Sequence, residues 1–226
     1  MTAVTVIIPC HNEEAAVGDV VRRTSAALAG RDHEVLVVDD GSSDATAARA
    51  GEAGARVLRL DPNRGKGVAL DAGARAARHP VLAFLDGDGQ DDPADLPTLL
   101  ARLEGDVHLV IGSRFLGRLH PGAIHPLNRL ANHGFSALIS LLFATRITDS
   151  QAGVRVVRRD AFLALGVRAR EYDVETDTLL RGLKAGWRVV EVPVERYARR
   201  GSTTDFHRVR HGLLILWTIL RARVTR

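Results

Sequence analysis

The segment Val81-Leu82-Ala83-Phe84-Leu85-Asp86-Gly87-Asp88 joins five apolar residues to two aspartates that one glycine separates. A short apolar run bounded by turn residues is typical of a strand that a sheet buries on both faces. Residues i and i+2 at an extended strand end point to the same side, so the two carboxylates are expected to project together. Carboxylate oxygens suit Mg²⁺ or Mn²⁺. The segment predicts a buried strand that ends in a divalent-metal site.

Strand and helix patterns alternate on both sides of this segment. The predicted strands are 4–8, 34–38, 56–60, 81–85, 107–111 and 187–192. The predicted helices are 13–29, 44–53, 65–77, 93–103, 127–143, 160–165, 174–185 and 209–223. This alternation predicts an α/β fold with a mostly parallel central sheet and helices on both faces.

The composition of the 226-residue chain is that of a globular protein, with 46% hydrophobic and 26% charged residues. These values exclude a disordered, collagen-like or polytopic membrane protein. The single cysteine, Cys10, excludes an intramolecular disulfide framework and a cysteine-rich zinc site. The chain opens with a strand and a turn and not with a charged and then apolar leader, so we expect a cytoplasmic protein.

Basic residues concentrate at the C-terminal end. Residues 196–226 contain eight arginines and a single acid, Asp205. The apolar run 212–220 lies between arginines and is shorter than the roughly 20 residues that a membrane span needs. A basic helix that carries Trp217 suits peripheral contact with anionic lipid at the inner face of the membrane. Packing on its own domain or on a second subunit, as in a homodimer, is an open alternative.

Polar and acidic residues follow four of the predicted strands. These runs are Pro9-Cys10-His11-Asn12-Glu13-Glu14, Asp39-Asp40-Gly41-Ser42-Ser43-Asp44, Asp86-Gly87-Asp88-Gly89-Gln90-Asp91-Asp92 and Gly112-Ser113-Arg114. Open parallel sheets bind ligands at the carboxyl ends of their strands, where these runs would meet. Helix capping and turn chemistry would account for Ser43 and Asp44 but not for the paired aspartates.

The chain lacks a glycine-rich phosphate loop. Asn63-Arg64-Gly65-Lys66-Gly67 begins a predicted helix without the spacing of a Walker loop, and no Gly-x-Gly-x-x-Gly follows the first strand. This pattern argues against an ATPase, a kinase or an NAD enzyme. A diphosphate would then be held mainly by metal and arginine.

The order of these motifs closely resembles glycosyltransferase family 2, and within it the dolichyl- and polyprenyl-phosphate mannosyltransferase group. Thr148-Asp149-Ser150-Gln151-Ala152-Gly153 and the stretch 197–203 add to the resemblance, which covers residues 4–205. It implies a GT-A fold in one catalytic domain, 1–205, followed by a basic amphipathic helix over 206–226. Within the domain, 1–115 would be the nucleotide-sugar-binding half and 116–205 the acceptor-side half.

The resemblance also implies roles for individual residues. Nucleotide-sugar binding is implied for Pro9, His11, Glu13, Asp39, Asp40, Lys66, Asp86, Gln90 and Arg129. Metal binding is implied for Asp86, Asp88 and Gln90. Catalytic roles, including contacts to the acceptor phosphate, are implied for Asp88, Arg114, Asp149, Glu175, Arg199 and Arg200.

The predicted reaction moves a hexose, with inversion, from a donor of the GDP-mannose or UDP-glucose type to a polyprenyl or dolichyl phosphate. Mg²⁺ or Mn²⁺ and arginines would stabilise the charge on the leaving nucleotide. A lipid phosphate is already an anionic nucleophile, whereas a hydroxyl acceptor in a glycolipid or natural-product pathway would need a general base, with Asp149 and Glu175 as candidates. A non-catalytic nucleotide-sugar-binding protein is a further alternative. An aromatic content of 4% argues against binding nucleic acid by stacking.

Overall fold

The computed structural model describes residues 2–199 and 208–224, which form an α/β fold. The strands are β1 (Val4–Cys10), β2 (His33–Asp40), β3 (Arg56–Leu60), β4 (Val81–Phe84), β5 (Val107–Leu119), β6 (Arg155–Arg158) and β7 (Arg188–Arg196). The helices are α1 (Val17–Ala27), α2 (Thr46–Glu52), α3 (Lys66–Ala76), α4 (Leu96–Arg102), α5 (Pro126–Phe143), α6 (Arg159–Ala164), α7 (Val174–Lys184) and α8 (Arg208–Val224).

The strands form one sheet in the order β3-β2-β1-β4-β6-β5-β7. Every neighbouring pair is parallel except those of β6, which runs antiparallel to both β4 and β5. The prediction of a mostly parallel sheet is therefore confirmed. Because β1, β2, β4 and β5 run in one direction, their carboxyl ends meet at the same edge of the sheet.

Strand β6 is the element that the sequence pattern did not indicate. It consists of two valines between Arg155 and Arg158, which is too short and too charged to stand out as a strand. Val156 and Val157 are completely buried because β6 fills the space between β4 and β5. Strand β5 also runs beyond its predicted end, to Leu119. The register of its pairing with β7 shifts between Ser113 and Arg118.

The helices cover both faces of the sheet, as predicted. Side chains alternate across a strand, so Val6 and Ile8 face one layer while Ile7 faces the other. The first layer packs α1, α2 and α4 on the sheet, and the second packs α3, α5, α6, α7 and α8.

Helix α8 lies against α5 and α7 in the second layer. Its buried residues His211, Ile215 and Ile219 recur every four positions and form one stripe. The packing on its own domain that the sequence left open is therefore present on this face of the helix. No helix within 2–199 or 208–224 is long and apolar enough to cross a membrane.

Candidate active site

A cleft follows the carboxyl edge of the sheet and consists of two chambers that share Lys66, Asp86, Asp88 and Arg199. The smaller chamber has a volume of about 580 Å³, and the strand ends of β1 and β2 border it. The larger chamber, of about 950 Å³, extends between α5 and α8. The two predicted metal ligands therefore lie at the junction of the chambers.

The smaller chamber brings together Pro9, His11, Glu13 and Asp40 from the ends of β1 and β2. The Asp40 carboxylate accepts hydrogen bonds from the backbone N–H groups of Arg64 (2.8 Å) and Gly65 (2.7 Å). His11 donates from Nδ1 to the Asp40 carbonyl oxygen at 2.9 Å, which fixes the orientation of its ring. These contacts tie the first turn of α3 to the strand edge.

Two glycines at the start of α3 allow another segment to pass over this chamber. Gly65 has a φ of +94°, which side chains disfavour, and its N–H binds Asp40. The Gly67 N–H donates to the Arg170 carbonyl at 2.9 Å, and a Cβ on Gly67 would collide with the Ala169 carbonyl oxygen. The segment 169–172 is thereby held over the site, and its Tyr172 lines both chambers.

Lys66 joins two carboxylates from distant parts of the chain. Its Nζ lies 2.7 Å from Asp86 Oδ1 and 2.6 Å from Glu175 Oε1. Burial alone would lower the pKa of Lys66, but that pKa is raised because the charges of Asp86 and Glu175 outweigh burial. Burial alone would raise the pKa of Asp86, but the charges of Lys66 and then Arg196 lower that pKa to about 2. Asp86 is therefore ionised at neutral pH.

Arg199 lies between Glu13 and Asp88. Its Nη1 is 3.6 Å from Asp88 Oδ2, and its Nη2 binds Glu13 Oε1. Burial raises the pKa of Glu13 to about 7, an effect that Arg199 opposes and the neighbouring Asp88 reinforces. A guanidinium thus neutralises the carboxylates on the Asp88 side of the junction, as Lys66 does on the Asp86 side.

The junction fits a divalent cation that is shared with a substrate. Asp86 and Asp88 both reach both chambers and offer hard oxygen ligands. Gly153 packs against Asp86, and a Cβ there would collide with its carboxylate, so the position of Asp86 depends on this glycine. In the part of the chain that the structure describes, no group of three or more His, Cys, Asp or Glu could hold a metal ion. Asp86 and Asp88 could hold a divalent ion together with oxygens of a bound substrate.

Gln90 has contacts that do not fit the metal-binding role predicted for it. Its Nε2 donates to the carbonyl oxygens of Ala123 (3.1 Å) and Tyr197 (3.0 Å), and its Oε1 accepts from Arg196 at 2.9 Å. Both ends of the amide are therefore engaged with protein groups. In this arrangement Gln90 ties the end of β7 to the loop that carries Asp88.

Asp149 also departs from its prediction. It is fully buried, and its two oxygens accept from Arg114 Nε (2.6 Å) and Nη2 (2.7 Å), while Asn132 Nδ2 donates at 2.7 Å. Burial is outweighed by Arg114, so that the pKa of Asp149 is lowered. A buried carboxylate with a lowered pKa is a poor general base. Asp149 instead orients Arg114, which lines the larger chamber.

Two further predicted residues do not line the cleft. Asp39 is fully buried beneath the edge, where it accepts from the Ser42 N–H at 3.1 Å and lies 3.4 Å from Arg59. Arg129 is exposed on α5 and lines neither chamber, because the adjacent Asn128 occupies the inward position. The predicted residue Arg200 lies outside the described residues.

Glu175 and Arg114 do reach the larger chamber, together with residues that the sequence pattern did not indicate. Arg196 binds Asp91 at 2.6 Å and lies 3.9 Å from Asp86. Its position in an arginine-rich run suggested a tail residue, although it ends a strand.

Arg155 is buried and donates to the carbonyl oxygens of Ala152, Glu175 and Ser150 at 2.6–2.8 Å. Backbone acceptors leave no side-chain signal in a sequence, so this contact could not be predicted.

The larger chamber has a lining that is partly charged and partly apolar. Its charged residues include the cations Arg114 and Arg196 and the carboxylate of Glu175. Its apolar residues include Phe135 of α5 and Ile215 of α8. Such a chamber suits a ligand with an anionic head and an apolar body.

The structure has a mostly parallel α/β sheet whose strand ends present paired aspartates to a divided cleft. This arrangement is the GT-A fold of nucleotide-sugar transferases. Residues 5–166 match the family described as "Glycosyl transferase family 2". The chain belongs to this family and is a glycosyltransferase.

Relatives of known sequence extend this assignment over most of the chain. It is 37% identical over 214 residues to an uncharacterized glycosyltransferase of Mycobacterium bovis, with 94% of each chain covered. It is 31% identical over 200 residues to the dolichyl-phosphate hexose transferase of Haloferax volcanii, covering 88% of this chain and 84% of that one.

A solved structure supports the fold. Glucosyl-3-phosphoglycerate synthase from Mycobacterium tuberculosis, in complex with Mn²⁺, uridine diphosphate and phosphoglyceric acid, superimposes with a TM-score of 0.78. The alignment covers all of this chain and 80% of that one at 21% sequence identity. At this identity the likeness establishes the GT-A fold.

Proposed function

We propose that this glycosyltransferase moves a hexose from a nucleotide-diphosphate sugar to a polyprenyl or dolichyl phosphate, with inversion at the anomeric carbon. The observation that carries the proposal is the larger chamber, whose lining combines the cations Arg114 and Arg196 with apolar residues of α5 and α8. The name of the Haloferax volcanii relative supports a lipid-phosphate acceptor. The Mn²⁺ and uridine diphosphate in the Mycobacterium tuberculosis complex support a nucleotide donor and a divalent ion.

The smaller chamber is the proposed donor site, in the nucleotide-sugar-binding half 1–115. Pro9, His11 and Asp40 would surround the base and ribose, because they line this chamber and not the larger one. Lys66 and Arg199 lie where the diphosphate would enter the junction, and both are cations. The donor sugar would then point into the larger chamber, in the acceptor-side half 116–205.

Asp86 and Asp88 are the proposed ligands of Mg²⁺ or Mn²⁺. A divalent ion bound there would supply charge stabilisation to the leaving diphosphate. Lys66 and Arg199, which now neutralise these carboxylates, would be free to bind phosphate oxygens once a metal shares the site. The leaving charge would thus meet cations that the protein already holds in place.

Arg114 is the proposed binding residue for the acceptor phosphate. Asp149 takes two of its five N–H groups, and the rest can donate into the larger chamber. The carboxylates that line the cleft at Asp86, Glu175 and Glu13 are all engaged with cations. An acceptor that is already anionic needs no general base, so a phosphate suits this site.

A hydroxyl acceptor is the second candidate, and the position of the Glu175 carboxylate favours it. Glu175 lines the larger chamber beside the junction, with Oε1 2.6 Å from Lys66 Nζ. Proton transfer to Glu175 would require this ion pair to loosen. We therefore rank the phosphate acceptor first.

The proposed location is the cytoplasm, with peripheral contact of α8 at the inner face of the membrane. Val209, Leu213 and Trp217 of α8 are exposed, and the helix contains no acid. Lipid acceptors reside in the bilayer, so such contact would place the enzyme beside its substrate.

A donor and acceptor screen tests the proposal. GDP-mannose, UDP-glucose and UDP-N-acetylglucosamine would be offered with Mn²⁺ or with EDTA, and with a short polyprenyl phosphate or the corresponding polyprenol. We expect Mn²⁺-dependent transfer from one donor to the phosphate and not to the alcohol. Transfer to the alcohol alone would favour the hydroxyl acceptor, and donor binding without transfer to either would contradict both candidates.

A further inference from the structure

Helix α5 exposes a stripe without charge. Leu127, Leu130, Gly134, Ala137 and Leu141 recur every three or four positions, and all five are exposed. The three leucines keep 60%, 69% and 79% of their surface accessible. The outward face of a helix in a globular protein is normally polar. Exposed apolar patches of this kind mark contact with another body.

Helix α8 carries a second stripe of the same kind. Val209, Leu213, Trp217 and Leu220 are exposed, opposite the buried His211–Ile215–Ile219 stripe. Because α8 packs beside α5, the two exposed stripes lie on neighbouring helices. Tryptophan is favoured where an apolar surface meets water at a membrane.

The two helices that carry these stripes also border the larger chamber. Ala131 and Phe135 of α5 line it, as do Val209 and Ile215 of α8. A ligand that enters between the two helices would come from whatever their exposed stripes contact.

The two helices themselves carry charge of one sign, although Glu171 of a neighbouring loop pairs with Arg210 and His211 of α8. The sequence contains no aspartate or glutamate between Asp106 and Asp149, and none after Asp205. Arg129 and Arg146 are exposed at the two ends of α5. An anionic surface complements such a face, because arginines near a bilayer attract acidic headgroups. A second copy of the chain would bring arginines against arginines with no acid from these helices to pair them.

We propose that the exposed stripes of α5 and α8 form one docking surface for an anionic bilayer, and that α5 is as necessary to it as α8. The apolar side chains enter the headgroup region while the arginines contact acidic lipids. The larger chamber then opens toward the membrane. This orientation rests on the proposed function in one respect, namely that the chamber receives a lipid phosphate.

Cosedimentation of the full chain with vesicles tests the α5 part of the surface. The vesicles would contain phosphatidylcholine with or without phosphatidylglycerol, and the variant would be Leu130→Glu with Leu141→Glu. The matched control, Ala26→Glu with Ala101→Glu, adds the same charge at exposed positions of α1 and α4 on the other face of the sheet. A separate Trp217→Glu variant tests α8.

We expect wild-type protein and the control to bind vesicles that contain phosphatidylglycerol. The α5 variant and Trp217→Glu should each bind at least about tenfold more weakly, since each loses apolar burial and adds repulsion. Equal binding by the α5 variant and the control would overturn the proposal. So would size-exclusion data in which wild-type protein is a dimer that the α5 variant divides, because the stripes would then be a subunit interface.

A detergent assay separates this inference from the proposed function. None of the substituted residues lines either chamber, so transfer to a short polyprenyl phosphate in detergent should be unchanged in all variants. Vesicle binding through α5 without transfer to any lipid phosphate would contradict the proposed function and leave the docking surface standing. Transfer with vesicle binding that ignores α5 would contradict the docking surface alone.

Discussion

At the scale of single residues, the junction depends on alternating charges. Lys66 separates Asp86 from Glu175, and Arg199 separates Glu13 from Asp88. Carboxylates at such proximity would repel one another without these cations. In the proposed reaction the same cations would be available to the leaving diphosphate, so one arrangement would serve both the unliganded protein and its substrate.

Asp88→Asn tests the metal assignment. The amide keeps an oxygen that can accept the Gln90 N–H, now bound at 3.0 Å, but it removes the charge that a divalent ion requires. We expect transfer to fall at least about 10²-fold and Mn²⁺ affinity to drop with it, while the melting temperature changes little. Asp71→Asn, at an exposed position of α3 paired with Arg75, is the control and should transfer normally. Full activity of Asp88→Asn would refute the assignment.

Glu13 predicts a pH dependence of stability. Its pKa rises from 4.5 to about 7 on folding, mainly through burial, so the folded state binds the proton more tightly than the unfolded state. Wild-type protein should then lose stability as the pH rises through this window, whereas Glu13→Gln should not. In EDTA, urea unfolding at about pH 5 and pH 8 should show the variant gaining about 1–3 kcal/mol relative to wild type.

The control for this pH experiment is Glu52→Gln, an exposed position of α2. Its unfolding free energy should follow that of wild type at both pH values. Parallel behaviour of Glu13→Gln and wild type would show that burial does not shift the Glu13 proton equilibrium.

At the scale of elements, glycines allow the segments around the active site to pack closely against one another. The start of α3 approaches the segment 169–172 because Gly67 has no side chain. Arg155 of β6 fixes the loop 150–152 and the first turn of α7 through backbone carbonyls. Residues on β4, α3 and α7 can therefore meet at Lys66.

Gly67→Ala tests this approach. The new methyl group would collide with the Ala169 carbonyl and disturb the Gly67–Arg170 hydrogen bond, so we expect weaker donor binding and a loss of stability of about 1–3 kcal/mol. Gly51→Ala in α2 is the matched control, because no atom lies within 4 Å of its Cβ position. That substitution should stabilise the protein by about 0.4–1 kcal/mol. Calorimetric donor binding and thermal melts would measure both, and unchanged donor affinity in Gly67→Ala would contradict the prediction.

At the scale of the whole molecule, the two layers of helices have different structural roles. The layer of α1, α2 and α4 only covers the sheet, whereas the layer of α5, α7 and α8 also encloses the larger chamber. In the sequence, residues 196–226 carry eight arginines and one acid, which gives the chain an uneven distribution of charge. We expect that unevenness to govern its approach to an anionic surface.

A salt titration tests this expectation. Binding of wild-type protein to vesicles with phosphatidylglycerol should weaken as NaCl rises from about 0.05 to 0.5 M. The shorter Debye length screens the attraction between the arginines and the acidic headgroups. Transfer to a soluble acceptor in detergent should change much less. Vesicle binding that is independent of salt would show that apolar contact alone holds the protein to the bilayer.

Much of the architecture could be predicted from local patterns. Largely apolar runs identified β1, β2 and β4, since a strand buried on both faces carries few polar residues. Parallel strands share an edge, so the collection of Asp40, Asp86, Asp88 and Arg114 near one cleft also followed from the pattern. Strand β6 did not, because two valines gain their burial only from the neighbours on either side.

The order of elements, the parallel sheet and the acidic edge were thus fixed by residue spacing, which is a local property of the chain. The partners of the charged side chains were not. Asp149 pairs with Arg114 across 35 residues, Lys66 reaches both Asp86 and Glu175, and Arg129 turns outward while Asn132 turns in. Such pairings depend on how distant elements pack in three dimensions, because charges in a low-dielectric interior are stable only beside the particular partner that packing brings within reach.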